Sequence, residues 1–121
     1  MWGRPGLKIA RHDGGIPTDP QSIDRTVRAG EADDVIGLAQ SIFPGVTGTV
    51  LDSAVCMYTM SPDEHFIVDR HPEYPQVAIG TGFSGHGFKF ASAIGEHLVD
   101  LLEDPFAKPM PILAIDRFAN V

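Results

Sequence analysis

Cysteine and basic residues are both scarce in this sequence, and each scarcity excludes a class of protein. Cys56 is the single cysteine among the 121 residues, which excludes an internal disulfide framework and a cysteine-rich zinc module. Nine Lys and Arg stand against sixteen Asp and Glu, for a net charge of −7 with His neutral. This acidity argues against non-specific binding to nucleic-acid phosphates and against an electrostatic membrane anchor.

Long apolar runs and a targeting segment are missing as well. No run approaches the roughly 18–20 residues that span a bilayer, and the first residues lack the pattern of a signal peptide. We therefore expect a soluble, cytoplasmic protein with no membrane partner and no nucleic-acid partner. Hydrophobic residues make up 43% of the chain, enough for the core of one compact domain.

Hydrophobic patterning predicts a mixed α/β architecture. The alternation of the first two predicted strands places Lys8 beside His12 and Cys56 beside Tyr58, so that each pair can face one cavity. The predicted strands cover residues 6–12, 49–59, 66–69, 77–79 and 112–115, and the predicted helices cover residues 32–43 and 88–102.

A glycine-rich turn lies between the fourth predicted strand and the second predicted helix. Gly80, Gly82 and Gly85 match G-x-G-x-x-G, a spacing that lets backbone approach a polar ligand near a helix N-terminus. A dinucleotide site also needs an acid after the next strand, and Asp116 is only a distant candidate. The pattern alone leaves two interpretations open, a tight strand-to-helix turn and a ligand-facing loop.

Four longer segments carry a more specific signal than the glycine spacing. They are G-F-S-G-H-G-F-K-F at 82–90, C-M-Y-T at 56–59, P-D-E-H-F-I-V-D at 62–69, and G-L-K at 6–8 followed by His12. All four resemble the C-terminal part of the monomeric sarcosine oxidase and N-methyl-tryptophan oxidase family of flavoproteins. The resemblance covers nearly the whole chain and is weakest at residues 1–5, at 21–30 and after 104.

The resemblance implies a role in cofactor binding for several residues. The family's counterpart of Cys56 is joined by a thioether to the 8α-methyl group of FAD, and the loop matching Gly85, His86 and Gly87 abuts the flavin ring. The lysine matching Lys8 sits over the flavin and promotes the reaction of reduced flavin with oxygen.

The resemblance also implies a substrate site and a reaction. The residues matching His12 and Tyr58 line the substrate cavity, and the lysine matching Lys89 helps to hold the substrate carboxylate. The family's reaction removes two electrons from the C–N bond of an N-methyl amino acid. Water then hydrolyses the imine, and oxygen reoxidises the flavin with production of hydrogen peroxide.

Taken without the resemblance, the same residues have ordinary structural interpretations. An isolated cysteine such as Cys56 is usually a small buried hydrophobe, Lys8 and Lys89 read as solvated surface charges, and Tyr58 reads as a core aromatic. One further set, His65, Asp69 and His71, matches no specific zinc or iron spacing, so no metal site is predicted.

Length is where the chain departs from the family, whose members are roughly three times as long, in line with two full domains. The N-terminal strand–turn–helix that holds the ADP half of FAD has no counterpart here. The chain therefore resembles a C-terminal fragment in one compact unit, with residues 1–60 from the substrate domain and 61–121 from the FAD domain, contributing strands to both sheets.

Such a fragment is expected to be inactive alone and to need the missing N-terminal FAD-binding portion as a partner. The surfaces that this portion would cover predict oligomerisation, strand exchange or marginal stability. The glycine pattern alone is also compatible with two other functions. One is a non-catalytic nucleotide-binding or assembly module that uses residues 80–87, and the other is an independent nicotinamide-binding unit.

Overall fold

The structure is a computed structural model, and it describes residues 6–119. The chain divides into two compact units, the first ending at Met57 and the second beginning at Tyr58. Within the described residues, no helix is both long enough and apolar enough to cross a membrane. The assignment of the two parts to a substrate domain and an FAD domain stays a prediction.

Over residues 6–57, the first unit contains one helix, α1, which spans Asp33–Ile42. Its first turn carries two acidic residues, which stabilise the positive end of the helix dipole. The helix ends where Phe43 turns extended, and Pro44 and the left-handed Gly45 (φ +97°) follow. The predicted helix over residues 32–43 is therefore confirmed.

The strands predicted over residues 6–12 and 49–59 are wrong for the described part of the chain. Neither segment has strand structure, and Leu7 and Leu51 are 49% and 60% exposed. Alternation becomes a strand only where a neighbouring strand takes up the backbone N–H and C=O groups. No strand within residues 6–57 offers that pairing.

The second unit is built on a hairpin of β1 (Ile67–Arg70) and β2 (Ala78–Thr81). The strands are antiparallel, with Ile67 opposite Thr81 and Arg70 opposite Ala78. These two strands confirm the short strands predicted over 66–69 and 77–79. The observed pairing is antiparallel, and membership of the second strand in a parallel FAD-domain sheet stays a prediction.

Helix α2, Ala91–Glu103, packs on this hairpin and closes the core. A 3₁₀ turn, Phe88–Phe90, leads into it, so the predicted second helix is confirmed with a tighter start. The core is formed by Phe66, Val68 and Leu101, with partly buried apolar side chains packed against them, namely those of Phe83, Ile94, Leu98, Ala107 and Leu113.

The strand predicted over residues 112–115 is wrong, because this segment makes a turn. The N–H groups of Leu113 and Ala114 both donate to Met110 O, at 2.8 and 3.0 Å. Pro111 has no N–H to offer a strand partner. One ladder-like bond survives, from Val68 N–H to Leu113 O at 2.9 Å. The chain then enters a second 3₁₀ turn, Ile115–Phe118.

Candidate functional site

The glycine-rich turn after β2 contains three residues with a left-handed backbone. Gly82, Ser84 and Gly85 have φ of +62°, +47° and +77°. Ser84 is 1% exposed, although a side chain in this region strains the backbone. Its N–H donates to Thr59 O and its hydroxyl to Gly82 O, both at 3.0 Å. These bonds hold the turn in its strained conformation.

Two glycines of the turn lie directly against aromatic rings. A Cβ atom at Gly85 would lie 2.6 Å from Tyr58 Cε2, and one at Gly87 would lie 2.7 Å from the Phe83 side chain. Gly85 is nevertheless exposed on its other side, and the Tyr58 ring is partly exposed. The turn therefore presents bare backbone supported by aromatic rings, a surface that a flat ligand can approach closely.

Next to this turn lies an open groove of about 260 Å³ that combines aromatic walls with nitrogen donors. The His86 imidazole stacks 4.7 Å from the Phe66 ring, and its Nε2 lies 3.3 Å from Glu64 O. Lys89 Nζ lies 5.6 Å from the centre of the Phe90 ring. The groove is lined by His65, Phe66, His86, Lys89, Phe90 and Leu113.

The charge at this groove suits an anion. Lys89 is exposed in the turn that leads into α2, where the unpaired N–H groups of a helix start add positive potential. An ammonium group in such a place binds a carboxylate by charge-assisted hydrogen bonds. The second unit thus brings together five predicted site residues, which are Tyr58, Gly85, His86, Gly87 and Lys89.

The remaining predicted site residues belong to the first unit. Lys8, His12 and Cys56 are exposed, and Cys56 is a free thiol. Arg25 Nη1 donates to Val55 O at 2.9 Å, which anchors the backbone next to Cys56. Because no strand forms over either segment, the shared strand face expected for Lys8 with His12, and for Cys56 with Tyr58, is absent.

Comparison with known proteins decides the family. The model of the FAD-dependent oxidoreductase family matches residues 5–101. The chain belongs to the FAD-dependent oxidoreductases. The family resemblance drawn from the sequence segments is thereby confirmed.

Curated relatives narrow the resemblance within these oxidoreductases. The chain is 47% identical over 102 residues to the monomeric sarcosine oxidase of Bacillus sp. (strain NS-129), covering 83% of this chain and 26% of that protein. It is 43% identical over 122 residues to the peroxisomal sarcosine oxidase of Mus musculus, covering 97% and 31%. It is 38% identical over 100 residues to the N-methyl-L-tryptophan oxidase of Escherichia coli (strain K12 / DH10B), covering 81% and 27%. The chain thus spans about a quarter to a third of the length of these relatives.

The residues present in this FAD-dependent oxidoreductase chain fit the cofactor of the family. The backbone at Gly85 is exposed, and it carries no side chain that would keep a flat group at a distance. The thiol of Cys56 is free and exposed. Within residues 6–119, no group of three or more His, Cys, Asp or Glu side chains is arranged to hold a metal ion.

Sequence reasoning missed one polar pair that supports the glycine-rich turn of this oxidoreductase chain. Arg117 Nε donates to Asp63 Oδ2 at 2.8 Å, and this bond to the guanidinium holds the pKa of Asp63 far below its ordinary range. Asp63 lies in a segment that carries the family resemblance, whereas Arg117 lies where that resemblance is weakest. The two are 54 residues apart, so no local pattern signals the pair.

Proposed function

We propose that this chain is the C-terminal part of an FAD-dependent oxidase that oxidatively demethylates N-methyl amino acids such as sarcosine, with production of hydrogen peroxide. The observation that carries the proposal is the exposed glycine backbone supported by Tyr58 and Phe83. The names of the relatives, which are sarcosine and N-methyl-tryptophan oxidases, support the substrate class. A cytoplasmic location belongs to the same proposal.

Four residues would hold the cofactor, as the family resemblance implies. The backbone of Gly85, His86 and Gly87 would contact the flavin ring, and Cys56 would carry a thioether to its 8α-methyl carbon. Bound FAD would supply the acceptor for the two electrons that leave the C–N bond. Cys56 needs an exposed thiol for this role, and it has one.

The substrate would be bound through its carboxylate and enclosed by aromatic and imidazole groups. Lys89 would donate charge-assisted hydrogen bonds to the carboxylate, as its place before α2 favours. Tyr58 and His12 would line the cavity and orient the amine. Lys8 would place a positive charge where negative charge develops as oxygen is reduced.

The partner that completes this site would be the N-terminal FAD-binding portion of an oxidase. Several large apolar side chains are strongly exposed in the described chain, among them Ile16 (87%), Phe88 (96%) and Phe106 (87%). Burial of such side chains by a partner is favourable, because it removes apolar area from water. We propose that the N-terminal portion covers these side chains and that the chain alone is inactive and self-associates.

A fusion protein tests the proposed function. The chain is joined behind the portion of the Bacillus sp. sarcosine oxidase that precedes the matching region, and the purified fusion is assayed for bound flavin and for peroxide from sarcosine. We expect yellow protein and peroxide from the fusion, and neither from the chain incubated alone with FAD. Peroxide from the isolated chain above the free-flavin background would contradict the proposed inactivity.

A second function rests on the same turn. If residues 80–87 serve a non-catalytic nucleotide or assembly site, the fusion stays colourless while the isolated chain binds a nucleotide. Titration of the isolated chain with ADP, followed by calorimetry, distinguishes this outcome from flavin binding. The absence of both bound flavin and peroxide from a folded fusion would reject the oxidase proposal.

A further inference from the structure

The Arg117–Asp63 pair lies outside the residues that the proposed function uses. Arg117 sits on the Ile115–Phe118 turn, beyond the last residue of the family match, and its side chain is 13% exposed. Besides the 2.8 Å bond from Nε, its Nη2 donates to Asp63 Oδ1 at 3.0 Å and to His65 O at 3.1 Å. Nη1 donates to Ala114 O at 2.9 Å. Every nitrogen of the guanidinium is therefore engaged, in the two-pronged geometry that fixes position as well as charge.

Asp63 connects this guanidinium to Ser61. Asp63 Oδ1 accepts the N–H of His65 at 3.2 Å and lies 3.2 Å from Ser61 Oγ, which in turn lies 2.7 Å from His65 O. Ser61 is 6% exposed. The segment from Ser61 to His65 is thus folded around one carboxylate, and Arg117 holds that carboxylate in place.

Ser61 in turn contacts the glycine-rich turn from its buried side. Its N–H donates to Ser84 Oγ at 3.4 Å, and a Cβ atom at Gly82 would lie 3.2 Å from Ser61 Cβ. Ser84 has a left-handed φ of +47°. A residue in such a conformation persists only where its surroundings hold it there. Ser61 is one of the groups that do so.

We propose that Arg117 is a positioning residue, which acts through Asp63 and Ser61 to hold the turn at Gly82–Gly85 so that Gly85 is presented to the flavin. The first part of this inference, the hold on the turn, follows from the contacts of the second unit alone. The second part, the effect on the flavin, rests on the proposed function. The experiment separates the two parts.

Amide hydrogen exchange on the whole chain tests the hold on the turn. In Arg117→Met, exchange at the N–H groups of Ser61 and Ser84 should rise by roughly tenfold once global stability is taken into account. Arg70→Met is the matched control, because Arg70 also donates to two backbone carbonyls, Ala107 O at 2.8 Å and Asp104 O at 2.6 Å, away from the turn. Faster exchange at the turn in both variants, or in neither, would overturn the proposal.

Two milder variants keep the test decisive if Arg117→Met does not fold. Arg117→Lys retains the positive charge but not the two-pronged guanidinium, and should restore part of the protection of these N–H groups from exchange. Asp63→Asn retains the shape and should behave like Arg117→Met, with the double variant no worse than either single one. Independent, additive effects of the two substitutions would show that they do not act through one contact.

The effect of Arg117 on the flavin is measured in the FAD-loaded fusion described above. Arg117→Met should shift the visible absorption spectrum and the reduction potential of the bound flavin, whereas Arg70→Met should leave both unchanged. A loosened turn with an unchanged spectrum and potential would overturn the flavin part. A fusion with native residues that binds no FAD would reject the proposed function, and the exchange result would still decide the hold on the turn.

Discussion

The two compact units share the family match but differ in how much structure each one maintains by itself. The match begins at residue 5 and ends at residue 101, so it covers parts of both. In the described part of the first unit, Ala39 is the buried residue and α1 is the regular element. The second unit has a hairpin, a helix and a shared core around Val68 and Leu101.

This difference separates two kinds of functional residue. Tyr58, Gly85 and Lys89 are held by contacts within their own unit, so their arrangement is a property of this chain. Lys8 and Cys56 lie on segments without strand pairing among the described residues. Under the proposed function, their placement for chemistry depends on backbone partners that the N-terminal FAD-binding portion would supply.

The largest expected effect concerns the core of the second unit. Leu101→Ala removes a fully buried side chain and should lower the free energy of unfolding by about 2–5 kcal/mol. The measurement is urea denaturation followed by circular dichroism. Leu102→Ala, at a side chain that is 49% exposed, is the control in the same helix.

Leu51→Ala extends this test to the first unit, where the side chain is 60% exposed. A change within about 0.5 kcal/mol is expected there, as for other exposed positions. A loss at Leu51 as large as that at Leu101 would break the comparison, because it would reveal a core in the first unit.

The second prediction compares two lysines, one in each unit, in the FAD-loaded fusion. Lys89→Met should raise KM for sarcosine by roughly 10- to 100-fold, as expected for a lost charge-assisted hydrogen bond. Lys8→Met should mainly slow reoxidation of the reduced flavin by oxygen. Rapid-mixing measurements separate the reductive and oxidative half-reactions.

Lys108→Met, at an exposed lysine that the proposal does not use, is the control for both variants. Equal damage to both half-reactions in the Lys8 and Lys89 variants would mean that the lysines act through general charge or folding. Exchanged effects would mean that the two assigned roles are reversed.

The third prediction compares glycines with a left-handed backbone in the two units. Gly85→Ala adds both backbone strain and a clash with the Tyr58 ring, and should destabilise the second unit by about 1–3 kcal/mol. Gly45→Ala, with φ of +97° and no atom within 4 Å of the added Cβ, adds strain alone. Thermal unfolding of both variants measures the difference.

Removing the ring provides the check on this interpretation. The double variant Gly85→Ala with Tyr58→Ala should lose less stability than the sum of the two single changes, because the clash is gone. Simple additivity would show that Tyr58 does not limit the turn. The same loss at Gly45 and Gly85 would show that backbone strain accounts for the whole effect.

The smallest expected effect is a pH dependence in the second unit. The Arg117 guanidinium holds the pKa of Asp63 well below its ordinary value of 3.8. A carboxyl with a depressed folded-state pKa stabilises the fold above its unfolded pKa, and that contribution is lost as the pH falls through the folded value. Unfolding from pH 5 downward should therefore show an acid-dependent loss that Arg117→Met reduces.

An exposed pair in the first unit gives the comparison. Arg11 Nε lies 3.1 Å from Asp13 Oδ1, with side chains 55% and 80% exposed, against 13% and 36% for Arg117 and Asp63. Because water and salt screen exposed charges, 0.5 M NaCl, roughly 4 Å of Debye length, should remove more of the first pair's contribution than of the second's. Equal salt sensitivity in Arg11→Met and Arg117→Met would contradict the difference in burial.

The elements that could be predicted from the sequence are those whose backbone hydrogen bonds join residues close together in the chain. Helices α1 and α2 carry their own hydrogen bonds, and the β1–β2 hairpin closes through the short His71–Val77 turn, where His71 N–H donates to Val77 O at 2.7 Å. Residues 6–12 and 49–59 have the alternation of strands, but alternation does not supply a partner. The strand predicted over residues 112–115 is wrong because Pro111 and the Met110 carbonyl favour a turn.

The same distinction applies to the candidate site: the parts made of contiguous residues could be predicted, and the parts made of residues far apart in the chain could not. The glycine-rich turn could be predicted from spacing and from resemblance, since its residues are contiguous. Its support could not, because Arg117 reaches Asp63 across 54 residues and Ser61 reaches Ser84 across 23. The left-handed Ser84 also escapes sequence reasoning, because only glycine signals such a backbone by its identity.

The bond from Val68 N–H to Leu113 O makes the two edges of the hairpin unequal. It occupies part of the outer side of β1, while β2 has no strand neighbour other than β1 among residues 6–119. If copies of this chain associate by adding strands, as proposed above, the edge of β2 is the one that offers backbone N–H and C=O groups for pairing.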